Sequence, residues 1–108
     1  MTEFEKANAK VEKYTRKLAK AQFRVGNMYY NGEGVKQDYA EAVRWYKKAA
    51  EQGHPKSQYY LGDQYYYGQN VKQDLDEALH WYKKAAKQGD VDAQAWADVV
   101  TKIMENKL

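Results

Sequence analysis

The residues of this chain that could do chemistry are few and scattered. Ser57 is the only serine, His54 and His80 are the only histidines, and there is no cysteine. A serine or cysteine nucleophile needs a base within hydrogen-bond reach and a third group to orient that base. No such set can be assembled from the sequence. Ser57 occupies a small-residue position that holds Ala21 and Ala93 at offsets of 36 residues, which reads as packing. His54 falls in a turn, and His80 stands where Arg44 stands 36 positions earlier, a solvent-facing place. As a metal pair the histidines lack the short regular spacing of zinc sites. Asp38 and Asp74 are 36 positions apart, and helix capping accounts for both. Gly32-x-Gly34 follows a helical pattern rather than a strand, so it is no dinucleotide fingerprint. The expectation is no catalytic residue, no metal site and no cofactor.

What positions the remaining candidates is a repeat. Residues 21–56 and 57–92 align without a gap, with identities at Gly26/Gly62, Tyr29/Tyr65, Gly32/Gly68, Val35/Val71, Asp38/Asp74, Trp45/Trp81, Tyr46/Tyr82, Ala49/Ala85, Ala50/Ala86 and Gly53/Gly89. A fixed period in this range marks a stacked repeat architecture. Each unit parses into two helices. The first runs from about Ala21 to Asn31 and stops at Gly32, where a left-handed residue is cheapest as glycine. Gly34 in the first turn becomes Asn70 in the second, the next best residue at positive φ. The second helix opens at Asp38, with Glu41 completing a capping box, and Asp74 with Glu77 repeats the device. Its apolar stripe is Tyr39, Ala42, Val43, Tyr46, Ala49 and Ala50, widened by Trp45. Gly53 and Gly89 end it, and Pro55 suits the start of the next helix. Gly26 and Gly62 are expected to let helices approach closely, opposite Ala49/Ala50 and Ala85/Ala86.

These residues, in the order (L/V)-G-x-x-Y-x-x-G-x-(G/N)-V-x-x-D-x-x-x-A-x-x-W-Y-x-K-A-A-x-Q-G, resemble the Sel1-like repeat, a relative of the tetratricopeptide repeat. The resemblance covers residues 21–92 and implies an all-α, right-handed α-solenoid of five to six helices that binds other proteins or peptides and catalyses nothing. In such units the first helix of each pair lines the concave face. Setting Val25-Gly26 and Leu61-Gly62 on the family's Leu-Gly pair places Phe23, Asn27, Tyr30 and Asn31 on that face, with Tyr59, Asp63, Tyr66 and Tyr67 in the second unit. Eleven tyrosines, two phenylalanines and three tryptophans exceed what the pattern requires, and tyrosine suits interfaces. The alternative is that these rings thicken a thin core.

The 108 residues bound one domain with a modest core. It divides into a helical extension (1–20), two repeats (21–56 and 57–92) and a capping helix (93–108). The net charge of +3 does not by itself argue for nucleic acid. The lack of cysteine, of a signal peptide and of a membrane span leads us to expect a soluble, cytoplasmic protein. In the extension, Thr2 and Glu5 form a further capping box. Phe4, Val11, Tyr14 and Leu18 begin a heptad seam that continues through Ala21, Val25 and Met28. One helix over 3–31 is favoured, against a bend near Ala19–Ala21 that would fold the extension back. Lys6, Lys10, Lys13, Arg16, Lys17, Lys20 and Arg24 read as its solvated face, helped by a Glu12–Arg16 pair. A nucleic-acid stripe is the less favoured reading. At the other end, Trp96, Val99, Val100, Ile103 and Met104 keep helical spacing, with Asp98, Lys102, Glu105 and Lys107 left to solvent.

Function then falls among three classes. The preferred one is a protein-interaction module, in its specific form a small bacterial neutraliser such as a toxin's immunity protein. The second is a structural module that forms a homodimer through Phe4, Val11, Tyr14 and Leu18. The third is nucleic-acid binding.

Overall fold

The computed structural model describes residues 1–106, so the expectation for Lys107 lies outside the described residues. Among them are five helices and no strand: α1 (Glu3–Asn31), α2 (Tyr39–Glu51), α3 (Pro55–Tyr67), α4 (Leu75–Lys87) and α5 (Val91–Asn106). Each helix packs on its neighbours in the chain, α1 on α2, α2 on α3, α3 on α4 and α4 on α5. The result is a short α-solenoid.

α1 is continuous. Thr2 caps it by accepting from the Glu5 N–H at 3.1 Å, and Gly32 ends it in the left-handed region at φ 71°. Nothing between them interrupts the backbone ladder, so the bent parse does not form. At 1.5 Å per residue α1 is about 43 Å long, against about 20 Å for the 13 residues of α2. Its N-terminal half therefore runs past its partner, which gives the molecule a longest dimension of 53 Å. The first buried residue of α1 is Ala19. Glu12 and Arg16 do not pair; among the described residues the ion pairs are Lys6–Glu3 and Arg44–Glu41, each one helical turn apart.

The Asp38 and Asp74 caps form, each carboxylate accepting at 3.1 Å from the N–H three residues on. The return arms from Glu41 and Glu77 do not. The N–H groups they would have accepted are donated elsewhere, from Asp38 to the Tyr29 carbonyl at 2.9 Å and from Asp74 to the Tyr65 carbonyl at 3.0 Å. Each cap residue thereby ties its helix to the preceding one. Gly34 and Asn70 both have positive φ, so the substitution in the turn preserves its shape.

The close approach at the glycines is real, but its partner differs from the expected alanines. A Cβ on Gly26 would stand 2.8 Å from the Tyr46 ring, and one on Gly62 would stand 2.7 Å from the Tyr82 ring. The tyrosines lie flat in notches that only glycine leaves open. Alanine supplies much of the remaining core: Ala78, Ala85, Ala93 and Ala97 pack with Tyr82 and Val100, Ala50 packs with Val43, Leu61 and Trp81, and Ala42 and Ala49 are also buried. Between the units, Gln58 is buried and donates to the Ala50 carbonyl at 3.1 Å while accepting from Gln88 at 3.0 Å. At the notch position α5 has Asp98, so it presents no slot for a further tyrosine-bearing helix.

Candidate functional site

α1 and α3 are the first helices of the two units, and the surface between them is a groove of about 500 Å³. Five of the expected residues meet there: Asn27, Tyr30 and Asn31 from α1, and Asp63 and Tyr67 from α3. Tyr46 of α2, Tyr60, Gln64 and Gln69 complete the lining. The Tyr46 hydroxyl donates to Asn27 Oδ1 at 2.6 Å, which fixes that amide. Tyr82 makes the equivalent bond to Asp63 Oδ1 at 2.5 Å. The two bonds occupy the same place in the repeat, with a neutral acceptor in the first unit and a carboxylate in the second. Tyr30 packs edge-on against Tyr39, with ring centroids 4.9 Å apart.

The other three expected residues lie elsewhere. Phe23 sits beneath Tyr60, its centroid 5.4 Å away, with His54 at 4.8 Å and Tyr46 at 5.6 Å. Tyr59 and Tyr66 belong to the second unit's copy of the groove, which α5 covers. Tyr59 stands 5.8 Å from Tyr82, and Tyr66 stands 5.2 Å from Trp96. Trp96 stacks on Tyr82 at the place in the repeat where Tyr60 packs edge-on against Tyr46. The two are 36 residues apart, an equivalence that would have singled out Tyr60. The seam residues Phe4, Val11, Tyr14 and Leu18 are all exposed, far from the groove.

The shifts of the titratable groups around the groove follow mainly from burial. Burial pushes the Tyr46 and Tyr82 hydroxyls well above the usual tyrosine range, and for Tyr82 the Asp63 carboxylate adds to the effect. Burial also raises the Asp63 carboxyl above its ordinary value; the Tyr82 hydrogen bond works against that rise, and Asp90 adds to it. Among the described residues, Asp63 is the only charged side chain lining the groove. His54 stands in the turn, as its sequence position indicates, but it is half-buried there and caps α3. Its Nδ1 accepts from the Ser57 N–H at 3.2 Å and lies 2.8 Å from the Ser57 hydroxyl. This is a serine–histidine contact, but Ser57 is completely buried, so no substrate can reach it. Among the described residues no group of three His, Asp or Glu could hold a metal ion, and no helix is long and apolar enough to cross a membrane.

A family model for the Sel1 repeat matches residues 19–54 and 55–90. The chain belongs to the Sel1 repeat family. Sel1 repeat proteins are generally protein-interaction modules. Among solved structures, a Sel1 repeat protein from Oxalobacter formigenes is similar at 42% identity and a TM-score of 0.73, over 75% of this chain and 33% of that one. A protective antigen of uropathogenic Escherichia coli with an SLR fold is 49% identical, with a TM-score of 0.66, over 70% of this chain and 16% of its own. Cysteine-rich protein B of Helicobacter pylori is 26% identical, with a TM-score of 0.69, over 82% and 70%. Chitin synthase regulatory factor 3 of Schizosaccharomyces pombe is 54% identical over 39 residues, 36% of this chain and 4% of that protein. The chain thus spans a small part of the yeast relative and a third or less of two of the solved chains.

Proposed function

We propose that this Sel1 repeat chain binds an extended segment of another protein in the groove between α1 and α3 and performs no reaction on it. The observation that carries the reading is the lining itself. Amides from Asn27, Asn31, Gln64 and Gln69 are spaced among the rings of Tyr30, Tyr60 and Tyr67. Amides can hydrogen-bond a peptide backbone on either its donor or its acceptor side, and tyrosine rings offer broad contact with little rotamer entropy to lose. Asp63 is a half-buried carboxylate beside two of those rings, which favours a segment with a lysine or arginine at that point. The expectation of a bacterial neutraliser draws on no residue of the groove and forms no part of the proposal.

Selection of displayed random peptides on the immobilised chain tests it. The expected outcome is enrichment of sequences carrying Lys or Arg, bound about tenfold or more weakly by Asn31→Ala/Tyr67→Ala. Both residues are exposed, so the double variant should keep its helical content. Selected peptides that bind the variant as tightly as the parent chain would place the binding surface elsewhere.

A further inference from the structure

The first unit lacks on its outer side what covers the second. In α3, Ser57, Gln58 and Leu61 are buried where α2 packs. The matching residues of α1 are Ala21, which is exposed, and Gln22 and Val25, which are half-buried. Gln58 Nε2 donates to the Ala50 carbonyl and its Oε1 accepts from Gln88, whereas Gln22 Oε1 is a buried acceptor with no partner among the described residues. The vacancy is not simply room for another repeat. Where the second unit has the turn Gln52-Gly53-His54, α1 has Arg16-Lys17-Leu18 in unbroken helix, so a preceding repeat cannot join here in register. Instead α1 carries its seam outward. Phe4, Val11, Tyr14 and Leu18 are 79%, 62%, 63% and 48% exposed. From Phe4 to Val25 the seam is about 32 Å long, the length of a helix of some three heptads.

Charge decides what fits this face. At about 100° per residue, the seam is bordered on one side by Lys10 and Lys17, with Glu3 at the N-terminal end of that border and Lys6 and Lys13 behind it. On the other side it is bordered by Asn8 and Thr15, with Glu5 and Glu12 behind them. Residues 1–20 hold six basic and three acidic side chains, and the remainder of the chain is balanced at twelve of each, so the whole net charge of +3 resides here. Antiparallel pairing of two copies would set Lys10 against Lys17 of the other copy. Parallel pairing would set the lysine edge against the uncharged Asn8 and Thr15. Neither arrangement is complementary. An anionic membrane or a nucleic acid would favour basic residues on both borders, and here one border is the uncharged Asn8 and Thr15 with Glu5 and Glu12 behind it.

We propose that this face of α1 receives an amphipathic α-helix of a partner protein whose flanking positions are acidic. The surface is separate from the groove and acts independently of it. The probes are two synthetic peptides about three heptads long with the same Leu/Ile seam, one with Glu and the other with Lys at every flanking position. Binding to the full chain is followed by fluorescence anisotropy. The Glu peptide should bind, more weakly as salt rises, and the Lys peptide should not. Lys10→Glu/Lys17→Glu should reverse that preference, Val11→Glu/Leu18→Glu should abolish binding of both, and Asn31→Ala/Tyr67→Ala should leave it intact. All four substituted seam and border residues are exposed, and circular dichroism checks that each variant is folded. The proposal is overturned if neither peptide binds, if both bind alike, or if the Val11→Glu/Leu18→Glu variant still binds. It is equally overturned by sedimentation showing a dimer that Leu18→Glu dissociates, or by binding to phosphatidylserine vesicles without binding to the Glu peptide.

Discussion

Adding one methyl group at Gly62 tests the joint on which both units are built. In Gly62→Ala the new Cβ would meet Cδ1 and Cε1 of Tyr82 at 2.7 Å and Cγ at 3.1 Å, where ordinary contact begins at 3.4 Å. The ring has little room to move. It is completely buried, flanked by Tyr59 at 5.8 Å and Trp96 at 6.5 Å, and its hydroxyl is held by Asp63. α3 and α4 must therefore separate by several tenths of an ångström, which strains or breaks that hydrogen bond. Overpacking of this kind costs about 1–3 kcal/mol, and losing a bond to a charged acceptor costs about 1.5–3 kcal/mol. Alanine's better helix propensity returns up to about 1 kcal/mol. The expected net loss is about 2 kcal/mol or more, which for a domain of this size lowers Tm by about 10 °C. Thermal and urea unfolding followed by far-ultraviolet circular dichroism measures it. Gly62→Ala/Tyr82→Leu should lose less than the two single changes added together, because the smaller side chain removes the clash. A Gly62→Ala protein that melts at or above the parent temperature would refute the notch.

Three further outcomes follow from the hydrogen bonds and burial. Gln58→Leu removes the donor to the Ala50 carbonyl and the acceptor for Gln88 between the units; urea unfolding should show a loss of about 1–3 kcal/mol. The His54 imidazole is held below its usual pKa of 6.5 by burial and by Lys20 and Lys56, and it caps α3 only when Nδ1 is unprotonated. Its contribution is therefore complete above pH 6.5 and lost as pH falls through 6.5 toward the lower folded value, so Tm in mild acid should drop more for the parent than for His54→Asn, whose cap does not titrate. Because burial raises the Asp63 pKa above its ordinary 3.8, the ionised carboxylate opposes folding at neutral pH. Asp63→Asn should raise Tm there, with the gain vanishing as pH falls to 3.8 and below.

Much of the fold was legible because the repeat prints the same local rules twice. Gly32 and Gly68 stop helices, Gly34 and Asn70 share a positive φ, and Asp38 and Asp74 cap, all through interactions within a few residues. The continuous α1 was legible for the same reason, since no residue in its first twenty can turn the chain cheaply. What the period could not report is which element faces which. It paired Gly62 with Gly26 but not with the Tyr82 ring that fills its notch. His54 was missed as a cap because histidine is not among the usual N-cap residues, and its role depends on Phe23 covering the ring at 4.8 Å. The groove was half visible. Asn27, Tyr30, Asn31, Asp63 and Tyr67 follow from the register of the first helices, whereas Tyr59 and Tyr66 are covered by α5 through Trp96, a long-range contact that no local pattern contains.

The Asn27–Asp63 difference connects stability to the proposed function. The two residues hold equivalent positions, and each accepts a hydrogen bond from a buried tyrosine. An asparagine at 63 would accept that bond without the cost of half-burying a charge, so neither capping nor packing calls for a carboxylate there. Its distinguishing property is the one the groove otherwise lacks, a negative charge beside Tyr60 and Tyr67. A residue that opposes folding where a neutral one would serve is what a binding site built on a marginal scaffold produces. The two effects of Asp63→Asn, on stability and on affinity for cationic peptides, should therefore have opposite signs. A variant that is both more stable and equally good at binding those peptides would leave the charge without a role in the groove and remove the preference for Lys or Arg from the proposed ligand.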